Sequence, residues 1–156
     1  MNAKLQLELK FVLTAFIVSL FYEIIQSHLY NFYVIDPVVG NSLFKGIIFI
    51  TLRIFLDIFV LLVNFNIIAR ARKNILWFQK IEIRDMTLFT LLGVVYVQYN
   101  EVINVYFLHT WGYQKFMPLV PVFKIGLTPF IQWVILAPLV LLMYRDWFHA
   151  DPAGEY

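Results

Sequence analysis

The chain has 156 residues, of which 62% are hydrophobic and 14% are charged, and its formal net charge is +2. Soluble domains average roughly 45–50% apolar and about 25% charged residues, so this composition excludes a water-exposed surface over most of the chain and favours a membrane protein. The small net charge gives no reason to expect a nucleic-acid partner. The chain contains no cysteine, which excludes disulfides, thiolate catalysis and thiolate metal or iron–sulfur sites.

Four apolar segments are each long enough to span a bilayer, which takes roughly 20 helical residues. They cover residues 9–33, 43–68, 86–108 and 129–147. We therefore predict an all-α fold, a polytopic bundle of four transmembrane helices that forms a single domain over residues 1–156. The first segment is followed by no A-x-A-like cleavage site, so we interpret it as a retained helix rather than a signal peptide.

Local signals predict where the third and fourth helices begin. Asp85 is placed to cap the start of the third helix. In the fourth, Thr128 is the predicted N-cap and Pro129 occupies the first helical position, where a missing N–H costs nothing. Pro138 lies inside the fourth helix and is expected to kink it.

The distribution of Lys and Arg predicts the orientation. Eight of these residues lie at the N-terminus, in the middle loop and at the C-terminal end, namely Lys4, Lys10, Arg70, Arg72, Lys73, Lys80, Arg84 and Arg145. Three lie in or beside the other loops, namely Lys45, Lys115 and Lys124. Both termini and the middle loop are therefore predicted inside. The run from Arg70 to Lys73 is read as this signal, with binding of anionic lipid headgroups as the alternative.

Four ionisable residues fall inside the predicted spans: Glu23, Arg53, Asp57 and Glu101. A charge at the centre of a transmembrane helix costs about 2.5–3.5 kcal/mol on insertion scales, so such residues normally face a protein interior. With 3.6 residues per turn, each helix gathers its polar residues on one face. The faces comprise Glu23, Gln26, Ser27 and Tyr30 in the first helix, Arg53, Asp57 and Asn64 in the second, Gln98, Glu101, Asn104 and His109 in the third, and Thr128 and Gln132 in the fourth.

The polar faces converge in the outer half of the membrane. Counting residues from the helix ends places Glu23, Arg53, Glu101 and Gln132 roughly 5–15 Å below the outer surface. Arg53 is spaced for a pair with Asp57 on its own helix, or it serves one of the glutamates and leaves Asp57 without a cation. Either way at least two carboxyl groups lack a full partner, and desolvated carboxyl groups tend to keep their protons.

We therefore predict that Glu23 and Glu101 form an acid/base pair; the alternative is that the polar residues only hold the helices together. The residues predicted to bind a substrate beside the pair are Gln26, Tyr30, Arg53, Gln98, Asn104, His109 and Gln132. Haem or metal ligation by the outer histidines lacks any HExxH, ExxH or paired-histidine spacing, so no metal and no cofactor are predicted.

The loop at 109–121 carries three aromatic residues, Trp111, Tyr113 and Phe116. Tyr and Trp are enriched at membrane interfaces, so we favour an interfacial belt, with a lid over the polar site as the alternative. His28 falls on the opposite face of the first helix from Glu23, and Asn64 and Asn66 lie near the inner boundary; we interpret all three as interfacial residues.

Several motifs follow one another over about residues 22–145. They are Tyr22-Glu23-x-x-Gln26-x-x-Leu29-Tyr30, Glu101-x-x-Asn104, Trp111-x-Tyr113-x-x-x-Met117-Pro118-x-x-Pro121 and Gly126-Leu127-x-Pro129-x-x-Gln132-Trp133-x-x-x-x-Pro138-Leu139. Together they resemble a group of small bacterial four-helix integral membrane proteins of uncharacterised function. The resemblance implies a four-helix architecture in a bacterial cytoplasmic membrane and carries no activity with it. Tyr22 stands where that group has Trp, and Ser27-His28 where it has a more apolar pair.

Three functions fit these observations. The first is a pocket for a lipophilic small molecule or lipid, with acid/base chemistry of an isomerase or cyclase type. The second is an accessory or assembly subunit of a larger membrane complex. The third is a small proton-coupled transporter, which would work as a homo-oligomer because four helices enclose a narrow pore.

Overall fold

The computed structural model describes residues 3–32 and 43–150, and most of them are helical. The four helices are α1 (Ala3–Gln26), α2 (Leu43–Ala71), α3 (Ile83–Val102) and α4 (Leu127–Ala150). Within the described part of the chain, Ile47–Ala71, Ile83–Phe107 and Leu127–His149 are long and apolar enough to cross a membrane. The helical, apolar character predicted from the sequence is confirmed for these three stretches.

Short segments follow two of the helices and pair with each other. A 3₁₀ turn (Ser27–Leu29) and strand β1 (Tyr30–Phe32) follow α1. A π-helical turn (Ile103–Phe107) and strand β2 (Trp111–Tyr113) follow α3. The strands are antiparallel, with Tyr30 opposite Tyr113 and Phe32 opposite Trp111, so the pairing joins the ends of α1 and α3.

The predicted first helix, residues 9–33, is wrong beyond Gln26. The segment is apolar enough to continue a helix, but β1 exchanges backbone hydrogen bonds with β2 instead, and the backbone N–H of Gln114 donates to the carbonyl of Leu29 at 2.9 Å. A partner more than 80 residues away thus overrides the local preference. Tyr33 lies outside the described residues.

The predicted starts of α3 and α4 also shift by a few residues. Glu82 is the N-cap of α3, and Asp85 is the third helical residue of a capping box, where its side chain accepts from the backbone of Glu82. The fourth helix begins at Leu127, and the hydroxyl of Thr128 donates to Sδ of Met117 rather than capping the helix. Pro138 lies inside α4 as predicted.

The helices pack as a ring, with α1 against α2 and α4, and α3 against α4 and α2. An aromatic core fills one end; it includes Phe11, Phe65, Phe78, Phe89 and Tyr144, all fully buried. Phe78 comes from the 3₁₀ turn Trp77–Lys80 between α2 and α3, so the connection itself closes this end. The polar residues lie farther along the helix axes, away from this aromatic core. Glu23 is twelve residues beyond Phe11 on α1, which is about 18 Å at the rise of an α-helix.

The close approach of α3 to α4 depends on Gly93. A Cβ atom at this position would lie 1.9 Å from Cε3 of the fully buried Trp133. We expect Gly93→Ala to lower the free energy of unfolding by about 1–3 kcal/mol, because overpacking forces side chains or helices apart. Thermal or denaturant unfolding in detergent measures this. Val95→Ala, at an exposed position two residues away, is the control, and an equal effect of both substitutions would contradict the packing argument.

Candidate functional site

An ion pair between α1 and α2 lies at the centre of the polar cluster. Nε of Arg53 is 3.0 Å from Oε2 of Glu23, and the two residues are only 8% and 1% exposed. Of the two pairings that the sequence left open for Arg53, the structure thus contains the one with a glutamate of a neighbouring helix. Asp57, one turn along α2, finds its polar contact elsewhere.

Two glutamine side chains extend this pair across the ring of helices. Nε2 of Gln26 donates to Oε1 of Glu23 at 2.7 Å and to Oε1 of Gln132 at 2.8 Å. Nε2 of Gln132 donates to Oδ2 of Asp57 at 2.9 Å and to Oε1 of Glu23 at 3.2 Å. Gln132 therefore links α4 to both α1 and α2, and each of these side chains is buried.

Three aromatic side chains donate hydrogen bonds to Glu101. The hydroxyl of Tyr113 lies 2.6 Å from Oε2, Nε1 of Trp111 lies 3.5 Å from the same oxygen, and the hydroxyl of Tyr30 lies 3.2 Å from Oε1. All three belong to the paired strands β1 and β2, so the strand pairing places the donors. Burial, and then the negative charge of Glu101, raise the pKa of Tyr113, which keeps its phenol protonated as a donor.

Arg53 connects the two halves of the cluster. Its Cζ lies 4.5 Å from the ring centroid of Tyr30 and 5.5 Å from that of Trp111, both within the range of cation–π attraction. The guanidinium is therefore bonded to Glu23 on one side and stacked on the two donors to Glu101 on the other. Glu23 and Glu101 belong to one buried network, as the sequence predicts, and Arg53 lies between them.

A cavity of about 340 Å³ lies beside the network, between α2 and α3. Its lining residues combine apolar side chains with polar ones from α2, α3, α4 and the segment that follows α3. They are Ile48, Phe49, Leu52, Arg53, Leu56, Asp57, Tyr96, Val97, Asn100, Asn104, Thr110, Trp111 and Gln132. Ile48, Leu52 and Leu56 are also exposed, so the cavity is not closed off from the surface on its α2 side.

Most of the predicted site residues meet in this region, and two do not. Gln26, Tyr30, Arg53, Asn104 and Gln132 either join the network or line the cavity. Gln98 is half-buried on α3 but is not among the residues lining the cavity.

His109 is exposed, has a positive φ of 52°, and its Nδ1 lies 3.0 Å from the carbonyl oxygen of its own segment at Val105. A regular helix would place His109 on the same broad face as Glu101, whereas the π-helical turn at Ile103–Phe107 changes the spacing and ends the helix before His109.

Three important residues were absent from the predicted site: Asp57, Trp111 and Tyr113. The sequence leaves Asp57 either paired with Arg53 or without a cation, and an intramembrane carboxyl group is in itself a sign of a functional site. Trp111 and Tyr113 were assigned to an interfacial belt, but they contact Glu101, which agrees better with the lid interpretation. In the sequence, an aromatic residue at the membrane interface looks the same as one that donates a hydrogen bond to a buried carboxyl group. Only the contacts in the folded protein distinguish the two.

Other side chains lie away from the cluster. His28 is exposed and stacks on Phe116, consistent with a peripheral position. Asn64 is buried rather than interfacial, and its Nδ2 has no hydrogen-bond partner in the described part of the chain. Across residues 3–32 and 43–150, no group of three or more His, Cys, Asp or Glu side chains is arranged to hold a metal ion.

Arg72 forms a separate cluster at the opposite end of the four helices, where α2 ends and α3 begins. It contacts Glu82 and Asp85 at the start of α3, and its bonds to these carboxylates raise the pKa of Arg72. One member of the basic run at 70–73 is thus committed to the capping box rather than free for a headgroup.

Comparison with known proteins gives no family assignment. No protein-family model, curated protein or solved structure matches the chain.

The ion pair generates a prediction about stability. Arg53→Gln should lower the free energy of unfolding by about 3–5 kcal/mol, because it leaves Glu23 buried without its cation. Adding Glu23→Gln should restore much of this loss, since the double variant carries neither charge. Denaturant unfolding of the two single variants and the double variant in detergent gives the coupling energy.

Arg145→Gln, which breaks an exposed pair with Asp146, is the control and should change stability by about 0.5 kcal/mol or less. Additive effects of the two buried substitutions would refute the pairing.

Proposed function

We propose that this protein is a multi-pass membrane protein that binds a lipophilic small molecule or a lipid in the cavity between α2 and α3. The observation that carries the proposal is a cavity whose lining combines exposed apolar side chains of α2 with the buried polar side chains of Arg53, Asp57 and Gln132. Its volume falls within the range of about 300–1,000 Å³ that is typical of small-molecule sites, and such sites combine apolar walls with a few convergent polar groups.

The mouth of the cavity supports entry from the hydrocarbon layer. Leu52 and Leu56 are 57% and 49% exposed on the outside of α2 and also line the cavity. A hydrocarbon chain can therefore pass between the helices without leaving an apolar environment, while its polar end reaches Asp57 and Asn100. A water-soluble substrate gains nothing from such an entrance.

Acid/base chemistry on the bound molecule is a second candidate function, and it is favoured by the position of Asp57 on the cavity wall. Glu23 and Glu101 are not among the lining residues. In this proposal they act as positioning residues: Glu23 holds Arg53 and, through Gln132, orients Asp57, while Glu101 fixes the aromatic donors. The acid/base role predicted for the two glutamates passes to Asp57.

We further propose that α1 spans the bilayer with the other three helices, in a bundle with both termini inside. Its outward-facing residues include Phe21 and Ile25, which are 67% and 65% exposed, and lipid would cover them. The distribution of Lys and Arg supports the orientation. The resemblance to small bacterial four-helix proteins supports a bacterial cytoplasmic membrane.

The absence of native cysteine makes this topology easy to test. Single variants Leu5→Cys and Lys80→Cys should react with a membrane-impermeant maleimide only after the membrane is opened. His28→Cys and Lys115→Cys, at exposed positions near the opposite ends of α1 and α3, should react in intact cells. The parent chain is the blank. Labelling of Lys80→Cys in intact cells would invert the orientation, and equal reactivity of Leu5→Cys and His28→Cys would argue that α1 does not cross.

Binding itself is tested by native mass spectrometry of protein extracted gently from its own membrane. We expect a reproducible bound lipophile, and we expect Leu52→Trp to reduce its occupancy at least roughly fivefold because the larger side chain obstructs the mouth. Phe55→Trp is the matched control: Phe55 is 61% exposed on the same helix but does not line the cavity. A chain that carries no small molecule, but a stoichiometric protein partner, would favour the subunit function instead.

A further inference from the structure

Asp57 is a buried carboxyl group with unused hydrogen-bonding capacity at the cavity. It is 7% exposed and lines the cavity wall. Its Oδ2 accepts from Gln132, while Oδ1 accepts no hydrogen bond from any residue that the structure describes. Buried carboxylate oxygens are normally bonded, so this atom is positioned for a donor that comes from outside the chain.

The charges around Asp57 indicate which kind of donor fits. The network contains three carboxyl groups, those of Glu23, Asp57 and Glu101, and one guanidinium, that of Arg53. The ion pair of Arg53 is with Glu23, and the donors to Glu101 are neutral aromatic side chains. Carboxyl groups therefore outnumber cations in the network, which favours an incoming cation over an anion, and a low-dielectric site strengthens this difference.

The aromatic lining favours the same ligand charge. Phe49 and Tyr96 line the cavity, and the faces of aromatic rings attract ammonium groups, particularly when water is excluded. Trp111 lines it too, but Arg53 already covers one face of its ring. Asp57 and these rings thus combine the two features that recognise an organic ammonium ion: a carboxylate acceptor and an aromatic enclosure.

We propose that the cavity recognises a lipophilic amine in its protonated form. An ammonium N–H donates to Oδ1 of Asp57, the rings surround the charge, and the hydrocarbon part lies along Leu52 and Leu56. The same ion pair results when a neutral amine takes the proton of a protonated Asp57. This inference rests on the proposed binding function and specifies its ligand class.

The test compares three probes with one chain length: dodecylamine, dodecanol and dodecanesulfonate. Native mass spectrometry of the full-length protein in a neutral detergent gives the concentration at which each probe half-occupies the protein. We expect dodecylamine to need a concentration roughly tenfold or more below that of dodecanol, and dodecanesulfonate to bind weakest. This ranking needs no variant, so it holds as a test even where a substitution impairs folding.

Two substitutions, each with a control, test the ligand class and the existence of the pocket separately. Asp57→Asn keeps an acceptor for Gln132 but removes the charge, so dodecylamine should fall to the level of dodecanol, whose binding should change by less than roughly twofold. Asp146→Asn, at an exposed carboxyl, should change neither. Leu52→Trp should weaken all three probes, and Phe55→Trp should weaken none.

The outcomes are distinguishable. If no probe binds, or if Leu52→Trp has no effect, the proposed pocket itself is refuted. If the three probes bind equally and Leu52→Trp weakens them all, the pocket stands and the amine inference fails. Strongest binding of dodecanesulfonate, or an amine preference that survives in Asp57→Asn, would also overturn the inference.

Discussion

The arrangement of the site depends on the buried ion pair between Arg53 and Glu23. Removing two charges from water is costly, and the attraction between them repays this cost only when their remaining hydrogen-bonding groups are satisfied. The structure meets this condition for Glu23 with two glutamine amides, from α1 and α4. The guanidinium is packed against the faces of Tyr30 and Trp111, while its Nη1 has no hydrogen-bond partner in the described part of the chain. Five segments of the chain, namely α1, α2, α4, β1 and β2, are thereby committed to one geometry.

That commitment divides the network into a rigid part and an open part. The carboxyl groups of Glu23 and Glu101 have hydrogen-bond partners within the protein, and neither residue lines the cavity. The carboxyl group of Asp57 accepts one hydrogen bond from Gln132 at Oδ2, and it also lines the cavity. A binding site needs both features, because a ligand gains affinity when the groups that meet it are already fixed.

The sequence predicts the regular parts of this protein better than its irregular ones. Composition and apolar segment length locate α2, α3 and α4 within a few residues, since both depend on local properties. Helical periodicity also selects Glu23, Gln26, Arg53, Glu101 and Gln132. A charged side chain in an apolar segment is costly to expose to lipid, so it normally faces the interior of the protein. The end of α1 is missed because β1 forms only by pairing with β2. His109 is misplaced because a π-helical turn has no sequence signature at this level, and the pairing of Arg53 with Glu23 rather than Asp57 depends on how the helices pack.

The separation of the partners along the chain also bears on how such a protein is made. Glu23 is synthesised thirty residues before Arg53 and more than one hundred before Gln132. In the proposed membrane placement, α1 enters the bilayer with the carboxyl group of Glu23 while its partner Arg53 is still within the ribosome. The first two helices should therefore be retained at the insertion machinery and released into lipid as a pair. The cavity is completed later, when Trp111 and Tyr113 of β2 donate hydrogen bonds to Glu101 and the amide of Gln132 on α4 donates to Asp57.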